Sequence, residues 1–331
     1  MKSKKKVTII GGSGFVGTNL CKLLLLKKCQ FEIIDLKMSN QFPKYCKIAD
    51  VRDFNSLRRH ITGDIIVNLA AVHRDDVLEK SEYYRTNVIG AENVAKVCEE
   101  KKIRKIVFTS SVAVYGFAEP GTDETGKVNP FNEYGKTKFE AEEKLRSWQT
   151  SSNSSLIIVR PTVIFGEGNR GNVFNLLNQI ASRKFMMIGK GKNKKSIAYI
   201  GNVVAFLETC ILTNQKYGLY NYVDTPDLTM NELVSKVRMK LTGVNGVGFR
   251  LPSWVGFFLG YASDFFASIS GMKLPISSIR VKKFLAPTEF KSSKSNLDNF
   301  TSPIPLEVGL ERTLESEFLS PDPNREIFYT E

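Results

Sequence analysis

The apolar residues in the first half of the chain form short runs that alternate with longer segments of helical periodicity. Five runs are apolar on both faces and rich in β-branched residues: Val7–Ile10, Phe31–Ile34, Ile65–Leu69, Ile106–Thr109 and Leu156–Val159. Helical spacing occurs between them at Thr18–Lys27, Glu92–Glu100 and Lys136–Trp148. Strands buried on both faces and joined through helices are typical of parallel sheets covered on each side by helices. The pattern predicts an α/β fold with a doubly wound parallel sheet over residues 1–165.

The pattern changes beyond residue 165, where helical segments dominate. These segments are Val173–Ala181, Met230–Leu241 and Ser253–Ser270, and a Thr229-x-x-Glu232 capping box precedes the second of them. We therefore expect a smaller, mostly helical lobe made of residues 166–195 and 229–331. Residues 196–228 have the pattern of a helix followed by a strand, and we expect them to return to the first lobe.

Three glycines separate the first predicted strand from the first predicted helix, in "VTIIGGSGFVGTNLCKLLL". Gly11 permits a tight turn, Gly14 allows a ligand to approach the backbone, and Gly17 allows the helix to pack closely on the strand. The free amides and the positive dipole end of the helix attract a phosphate group. The turn, which includes Phe15 and Val16, is therefore predicted to bind the pyrophosphate of a dinucleotide.

Residues at the carboxyl ends of the later predicted strands are assigned to the same cofactor. Asp35 ends the second strand in "FEIIDL", where a carboxylate accepts hydrogen bonds from both ribose hydroxyls and repels a 2′-phosphate. This position favours NAD over NADP. Asp50 and Val51, in "IADVRD", are placed near the adenine edge. The set is completed by the residues at the end of the next apolar run, which are Leu69, Ala70 and Ala71.

Ser111, Tyr134 and Lys138 form the predicted catalytic group. Tyr134 and Lys138 lie four residues apart in "NEYGKTKFEAEEKL" and therefore share one face at the start of a helix. A neighbouring ammonium group and an oxidised nicotinamide both favour the phenolate form of a tyrosine, whose pKa is otherwise about 10. Ser111 follows a predicted strand at the sheet edge where α/β folds bind ligands. Its hydroxyl can hold the oxygen of a carbinol while Tyr134 removes the proton.

Composition and charge narrow the choice of partner. The 331-residue chain is 42% hydrophobic and 24% charged, which is ordinary for a globular protein, and its basic residues exceed its acidic ones by 47 − 34 = 13. Such an excess attracts anions, but no recognition-helix, zinc or stacking motif indicates nucleic acid. The five cysteines are scattered without C-x-x-C or histidine pairing, which argues against a disulfide framework or a metal site and fits a reducing cytoplasm. Too few apolar residues follow "MKSKKK" for a signal peptide.

Two segments of the second lobe indicate what the anion is. Ser182–Ser196, "SRKFMMIGKGKNKKS", has six basic residues and no acidic one, and can neutralise a diphosphate or lie against anionic lipid. Leu251–Met272 approaches the length of a membrane span, but Pro252 and Asp264 count against a span. On a helix, one apolar face would hold Val255, Phe258, Ala262, Phe265 and Ile269, with Trp254, Phe257 and Tyr261 pointing elsewhere. This excess of apolar surface favours peripheral contact with a membrane or a polyprenyl chain.

Taken together, these motifs resemble the extended short-chain dehydrogenase/reductase superfamily over essentially the whole chain, including "VNLAAVHRDDV", "YYRTNVIGAENV" and "RPTVIFG". The resemblance implies a Rossmann fold and the Ser-Tyr-Lys roles given above, with Lys138 also binding the nicotinamide ribose. Dehydratases of the superfamily carry an Asp-Glu pair after the catalytic serine or threonine. Val112 and Ala113 stand there in this chain, which argues against dehydration. The pattern is similar to that of sugar 4-epimerases, which recycle NAD.

Later segments are similar to one subgroup, the enzymes that epimerise N-acetylglucosamine on undecaprenyl diphosphate. They are "HRDDV", "GEGNRGNVFNLLNQIASRKFMMIGKGKNKKSIAYIGN", "NYVDTPDLTMNELV" and "SSIRVKKF". The resemblance implies conversion of GlcNAc-diphospho-undecaprenol to its GalNAc counterpart by transient oxidation at C4, for O-antigen or related surface polysaccharides of a bacterium. It also implies that Asn172, Lys195 and Arg280 contact the diphospho-sugar. A homodimer bound peripherally to the cytoplasmic face of the inner membrane is expected.

Three other functions stay open at this point. A soluble UDP-GlcNAc or UDP-glucose 4-epimerase would use the same catalytic residues, although the net charge and Leu251–Met272 favour the lipid-linked substrate. An NADP-dependent 4-keto-sugar reductase is disfavoured by Asp35. An NAD-sensing binding protein would bind the cofactor without turnover, which the intact serine, tyrosine and lysine argue against.

Overall fold

Strands and helices alternate through the first two-thirds of the computed structural model, which describes residues 5–74, 77–270 and 277–330. The strands are β1 (Val7–Ile10), β2 (Phe31–Asp35), β3 (Cys46–Ile48), β4 (Ile65–Asn68), β5 (Lys105–Thr109), β6 (Ser155–Pro161), β7 (Val163–Phe165), β8 (Asn169–Arg170), β9 (Met187–Ile188), β10 (Lys194–Lys195), β11 (Ile197–Tyr199), β12 (Tyr217–Tyr222), β13 (Leu228–Thr229), β14 (Arg250–Leu251) and β15 (Phe328–Tyr329).

The predicted helical segments are present with ends that differ by a few residues, and four helices within the described residues were not predicted. The helices are α1 (Phe15–Leu26), α2 (Phe54–His60), α3 (Ser81–Tyr83), α4 (Gly90–Glu100), α5 (Glu133–Ser152), α6 (Asn172–Ala181), α7 (Ile200–Leu212), α8 (Met230–Thr242), α9 (Ser253–Ser270), α10 (Ser278–Leu285) and α11 (Leu306–Leu314). Those not predicted are α2, α3, α10 and α11. Shorter helical turns lie at Pro43–Tyr45, Tyr84–Ile89, Val112–Tyr115, Lys294–Asn296 and Glu315–Leu319.

Seven strands form one parallel sheet in the order β12-β6-β5-β4-β1-β2-β3. The chain begins in the middle of the sheet at β1, builds outward to β3, and then crosses to β4 and builds outward in the other direction. The loops that follow β1 and β4 therefore diverge and leave a crevice at the carboxyl ends of these strands, where open α/β sheets bind ligands. The predicted doubly wound Rossmann fold is confirmed.

Helices cover both faces of the sheet, and successive side chains of a strand point to opposite faces, so both sets of side chains are buried. In β1, Val7 and Ile9 join an apolar cluster that includes α1 and α7. Ile10, the next residue, joins a second cluster on the other face with α2, α4 and α5. Apolar runs without polar alternation are thus the pattern that this covered parallel sheet requires.

The helices after β8 pack mainly on one another. Helix α6 contacts α8, α8 contacts α11, and α9 packs along α10. The segment between them behaves differently, because α7 packs on α1 and β12 forms the edge of the large sheet beside β6. In the described part of the chain, no helix has both the length and the apolar character needed to cross a bilayer.

Candidate active site

The three glycines of the β1–α1 turn meet different surroundings. Gly11 has a positive φ of 79°, and a Cβ there would lie 2.8 Å from the amide nitrogen of Ala70. A Cβ at Gly17 would lie 2.5 Å from the Cα of Gly12. At Gly14, a Cβ would meet only the Gly11 carbonyl oxygen at 3.5 Å, so the space in front of this residue is open. Gly11 and Gly17 thus serve backbone packing, whereas Gly14 leaves room for a ligand.

The open space lies at the start of α1. This helix begins at Phe15, Gly14 is its N-cap, and no side chain caps the amides of its first turn. Uncapped amides and the positive end of the helix dipole make a binding site for a phosphate group. The structure therefore offers the predicted pyrophosphate site a shape and a charge that fit.

Asp35 lies beside this turn because β1 and β2 are neighbours in the sheet. Its Oδ2 accepts a hydrogen bond from the Ser13 amide at 2.9 Å, and its Oδ1 accepts one from the Lys37 amide at 3.2 Å. These two bonds fix the carboxylate and leave lone pairs on both oxygens for ribose hydroxyls. A phosphate on the ribose would meet the same negative charge, so the site fits NAD.

The other predicted cofactor residues occupy the walls of the crevice. The Leu69 amide donates to the Ile10 carbonyl at 2.8 Å, which holds the segment 69–71 against β1. Val51 is buried against Gly90, which would have no space for a Cβ. The Asp50 carboxylate accepts hydrogen bonds from the Arg52 guanidinium at 2.7 Å to 3.0 Å. Asp50 is therefore engaged by its own chain, and contact with an adenine edge stays a prediction.

Local capping places Tyr134 and Ser111 next to each other. Asn132 caps α5 by accepting a hydrogen bond from the Gly135 amide at 2.9 Å, which sets Tyr134 in the first turn. A Cβ at Gly135 would lie 2.4 Å from the Ala113 carbonyl oxygen, so the start of α5 packs tightly on the turn that follows Ser111. The hydroxyl of Ser111 is in hydrogen-bonding contact with Tyr134. The predicted serine and tyrosine are thus brought together.

Burial shifts the pKa values of Tyr134 and Lys138. Lys138 is 1% exposed, and burial lowers its pKa to about 7 against the opposing charge of Glu142. Its Nζ lies 4.4 Å from the ring centroid of Phe108, and no carboxylate among the described residues is within ion-pairing distance of it. Burial also raises the pKa of Tyr134 to about 12, and the Ser111 hydrogen bond opposes this. A bound cation beside Tyr134 would favour its phenolate form.

One residue near the reaction centre was not assigned by sequence analysis. The His73 ring lies 6.5 Å from the Tyr134 ring, centroid to centroid, and approaches the backbone of Ala71 and Thr330. His73 follows β4 by five residues, so its position after a strand of the sheet was the available signal. The ring therefore lies between the loop after β4 and Tyr134, the predicted catalytic tyrosine.

The three residues predicted to contact the diphospho-sugar lie on α6, β10 and α10. Asn172 is the exposed first residue of α6, and Arg280 is exposed on α10. The Lys195 ammonium donates to the carbonyls of Lys283 at 3.0 Å and Ala286 at 2.6 Å, and burial lowers its pKa to about 8. Lys195 therefore ties β10 to the end of α10, and a diphosphate would have to replace these bonds.

Helix α10 carries further cations close to the catalytic loops. The Lys282 Nζ lies 4.8 Å from the ring centroid of Phe117, and the Lys283 Nζ lies 5.2 Å from that of Phe131. The two rings stack at 4.8 Å, and Phe131 precedes Tyr134 by three residues. These lysines were not assigned to the site by sequence analysis, because they lie 148 and 149 residues after Tyr134 in the chain.

Helix α9 has its large residues outside and its small residues inside. Five aromatic or aliphatic side chains at i, i+4, i+7, i+11 and i+15 are 63% to 71% exposed: Trp254, Phe258, Tyr261, Phe265 and Ile269. The opposite face holds the buried Gly256 and Gly260, and a Cβ at Gly260 would lie 2.9 Å from the Ser278 backbone of α10. We name this exposed row the α9 apolar stripe. Residues 271 and 272 of the predicted segment lie outside the described residues.

The prediction that Trp254 and Tyr261 point away from the face of Phe258 and Phe265 is wrong, because all four belong to the α9 apolar stripe. Positions seven residues apart are nearly in line on an α-helix, so Trp254 and Tyr261 share one side. Val255 and Ala262, placed on that face by the prediction, are half-buried instead. The exposed apolar surface of α9 thus includes this stripe and extends around the helix to Leu259 and Phe266, which are 40% and 62% exposed.

Comparison with known proteins places this site in context. Residues 7–222 match the model of the NAD dependent epimerase/dehydratase family. The chain is 46% identical over 319 residues to N-acetyl-alpha-D-glucosaminyl-diphospho-ditrans,octacis-undecaprenol 4-epimerase of Escherichia coli O157:H7, covering 95% of each chain. It is 27% identical over 266 residues to UDP-glucose 4-epimerase of Vibrio cholerae, covering 72% of this chain and 77% of that protein.

The fold is similar to that of solved structures. The structure of UDP-glucuronic acid 4-epimerase from Bacillus cereus in complex with NAD superposes with a TM-score of 0.70 at 17% identity, covering 94% of this chain and 97% of that one. At 17% identity, this similarity shows a shared fold and nothing more.

Proposed function

The chain belongs to the NAD dependent epimerase/dehydratase family, and we propose that it converts GlcNAc-diphospho-undecaprenol to GalNAc-diphospho-undecaprenol by epimerisation at C4. The 46% identity over 95% of both chains to the E. coli O157:H7 enzyme of that name carries the proposal. The site supports it, because Ser111 interacts with Tyr134, Lys138 lies on the same helix as Tyr134, and Val112 and Ala113 offer no acid or base for dehydration.

Tyr134 acts as the proton acceptor for the C4 hydroxyl and Ser111 holds the oxygen of that group. Lys138 stabilises the phenolate of Tyr134 and provides an ammonium donor for the nicotinamide ribose. When bound, NAD supplies a reversible acceptor for the hydrogen of C4. The 4-keto sugar would then present its other face, C4 would take its hydrogen back on that face, and Tyr134 would return the proton to the oxygen. The residues return to their starting states, so no reductant is consumed.

Helix α10 supplies the cations for the diphosphate in this proposal. Lys282 and Lys283 lie over the Phe117–Phe131 pair, next to the loop that leads into Tyr134. Arg280 is on the same helix, one turn earlier. Ammonium and guanidinium groups form strong charge-assisted bonds to phosphate oxygens. Lys282→Ala is expected to raise KM for the substrate with a smaller change in kcat.

The α9 apolar stripe positions the enzyme at its substrate, because undecaprenol is held in a membrane. Exposed aromatic rings on one side of a helix insert into the interface of a bilayer, and basic residues nearby attract anionic headgroups. Arg280 and Lys282 on the adjoining α10 provide this charge. We therefore propose peripheral attachment to an anionic membrane, on the cytoplasmic face of the bacterial inner membrane.

A substrate assay tests the proposal directly. The purified protein is incubated without added NADH, with GlcNAc-diphospho-undecaprenol and separately with UDP-GlcNAc, and the released amino sugars are separated. GalNAc is expected from the lipid substrate, and Tyr134→Phe should abolish it whereas Tyr329→Phe, at an exposed position, should not. GalNAc from UDP-GlcNAc alone would make the chain a nucleotide-sugar 4-epimerase, the activity named for its Vibrio cholerae relative. No GalNAc from either substrate would refute epimerisation of N-acetylglucosamine.

A further inference from the structure

The C-terminal segment of the chain runs across the open side of the cofactor crevice. Residues 326–330 include β15, which pairs in parallel with β8. Burial alternates along the segment: Glu326, Phe328 and Thr330 are partly buried, whereas Ile327 and Tyr329 are exposed. This is the period of an extended strand with one face against the protein. We call residues 326–330 the C-terminal strap.

The inward residues of the strap touch the first lobe at three places. Glu326 accepts hydrogen bonds from the side-chain amides of Asn40 and Gln41, both at 2.8 Å. The ring of Phe328 packs against that of Phe15 with 5.7 Å between centroids. Thr330, the last described residue, approaches His73 with its backbone.

These three places follow the predicted path of NAD. Asn40 and Gln41 come shortly after Asp35, at the adenosine ribose. Phe15 is the first residue of α1, where the pyrophosphate is expected. His73 lies beside Tyr134, at the nicotinamide. Four residue steps of an extended strand span about 13 Å, enough to follow a dinucleotide between its two ribose groups.

The strap is also hydrogen-bonded to the loop "GEGNRGN" of residues 166–172. Sequence analysis assigned a role to only one residue of this loop, Asn172. The Phe328 amide donates to the Gly168 carbonyl at 2.9 Å, and Thr330 Oγ1 donates to Asn169 Oδ1 at 2.6 Å. A Cβ at Gly168 would lie 2.7 Å from the Glu326 carbonyl oxygen, and one at Gly171 would lie 2.6 Å from Thr330 Oγ1. The glycines of this loop therefore allow the strap to lie close.

We propose that the inward residues of the C-terminal strap, Glu326, Phe328 and Thr330, form the outer wall of the NAD site and retain the cofactor between turnovers. An epimerase returns the hydrogen that it removes, so its cofactor leaves each cycle unchanged and has no need to dissociate. A strap held at the positions of both ribose groups and of the pyrophosphate has to be displaced before NAD can leave. This proposal rests on the proposed function only in its explanation of why the enzyme benefits from keeping NAD bound.

The test compares NAD retention in four purified proteins: the full chain, a chain ending at Arg325, Phe328→Ala, and Tyr329→Ala as a matched control whose side chain is 74% exposed. Bound NAD is released by denaturation and quantified, and its dissociation is followed by chase with labelled NAD. We expect the shortened chain to lose most of its NAD and to release the remainder at least tenfold faster. Phe328→Ala should show a smaller change in the same direction, and Tyr329→Ala should match the full chain.

Two results would overturn the proposal that the strap retains NAD. One is equal NAD content and equal release rate in the full chain and the chain ending at Arg325. If the shortened chain does not fold, as judged by circular dichroism, Phe328→Ala decides, and an unchanged release rate in this variant overturns the proposal. No sugar is needed for either measurement. Loss of NAD from the variants alongside an absence of epimerase activity in the full chain would therefore refute the proposed substrate while supporting the strap.

Discussion

Replacing Gly14 by alanine is predicted to weaken NAD binding without unfolding the protein, whereas the same change at Gly17 should destabilise it. A methyl group at Gly14 would lie 3.5 Å from the Gly11 carbonyl oxygen, which is an ordinary contact. Gly14 also has φ −80°, which alanine adopts readily. At Gly17 the methyl group would lie 2.5 Å from the Gly12 Cα and 2.6 Å from the Gly11 carbonyl oxygen, both backbone atoms.

The magnitudes follow from these contacts. Alanine at Gly14 should change the free energy of unfolding by no more than about 1 kcal/mol, since the poorer helix cap is offset by the lower entropy of the unfolded chain. Its methyl group enters the space where a phosphate would bond to the amides of α1. Losing one charge-assisted hydrogen bond costs about 1.5–3 kcal/mol, so NAD should bind about 10- to 100-fold more weakly. Alanine at Gly17 should cost about 1–3 kcal/mol of stability or more through overpacking.

Thermal unfolding of the NAD-free proteins and titration with NAD measure the two effects separately. The reasoning requires Gly14→Ala to resemble the unmodified protein in Tm and to differ from it in the Kd for NAD. If Gly14→Ala binds NAD with unchanged affinity, the open space before this residue is not the pyrophosphate site. If Gly17→Ala is as stable as Gly14→Ala, the assignment of the two glycines to packing and to binding is incorrect.

Three further predictions concern stability, pH and the membrane. Arg160→Met removes two charge-assisted hydrogen bonds from the 0% exposed Glu142, which keeps its ion pair with Arg146, and should cost about 1.5–3 kcal/mol in urea unfolding. The surface ion-pair variant Arg58→Ala should cost about 1 kcal/mol or less, and equal costs would contradict this. Burial lowers the pKa of Lys138 from 10.5 to about 7, so between these pH values the unfolded chain binds more protons than the folded one. The free energy of unfolding of the NAD-free protein should therefore rise with pH across this range, and it should rise less steeply in Lys138→Met. An equal slope in both proteins would refute this. Phe265→Ser should bind anionic vesicles about tenfold more weakly in a sedimentation assay, whereas Leu26→Ser, at an 80% exposed position on α1, should bind as the unmodified protein does. Equal binding by the two variants would exclude the α9 apolar stripe from the membrane contact.

Sequence analysis identified the fold, the cofactor and the family because each of them depends on local pattern. Apolar runs without alternation require a covered parallel sheet, and the order of strands and helices then leads to the doubly wound topology. The glycine turn with Asp35, and Tyr134 with Lys138, are recognisable because spacing along one turn, strand or helix fixes which groups face each other.

Contacts between distant segments were decided by tertiary structure. Lys195 lies in a basic segment and was expected at the diphosphate, but the carbonyls at the end of α10 occupy its ammonium group. His73 lies beside Tyr134 and Lys282 lies over Phe117, although sequence analysis assigned neither residue to the active site. Each of these outcomes depends on where another segment packs, which no local spacing encodes.

Helix α9 and the C-terminal strap show the division most clearly. The sequence by itself determined that residues 253–270 have more apolar surface than one contact can bury, and no motif in it indicated the strap. Which side of α9 faces outward was decided by Gly256 and Gly260, because the smallest side chains allow the closest approach to α10 and β9. The position of the strap was likewise decided by partners 158 to 313 residues away in the chain, whose proximity exists only after the sheet and the later helices have packed.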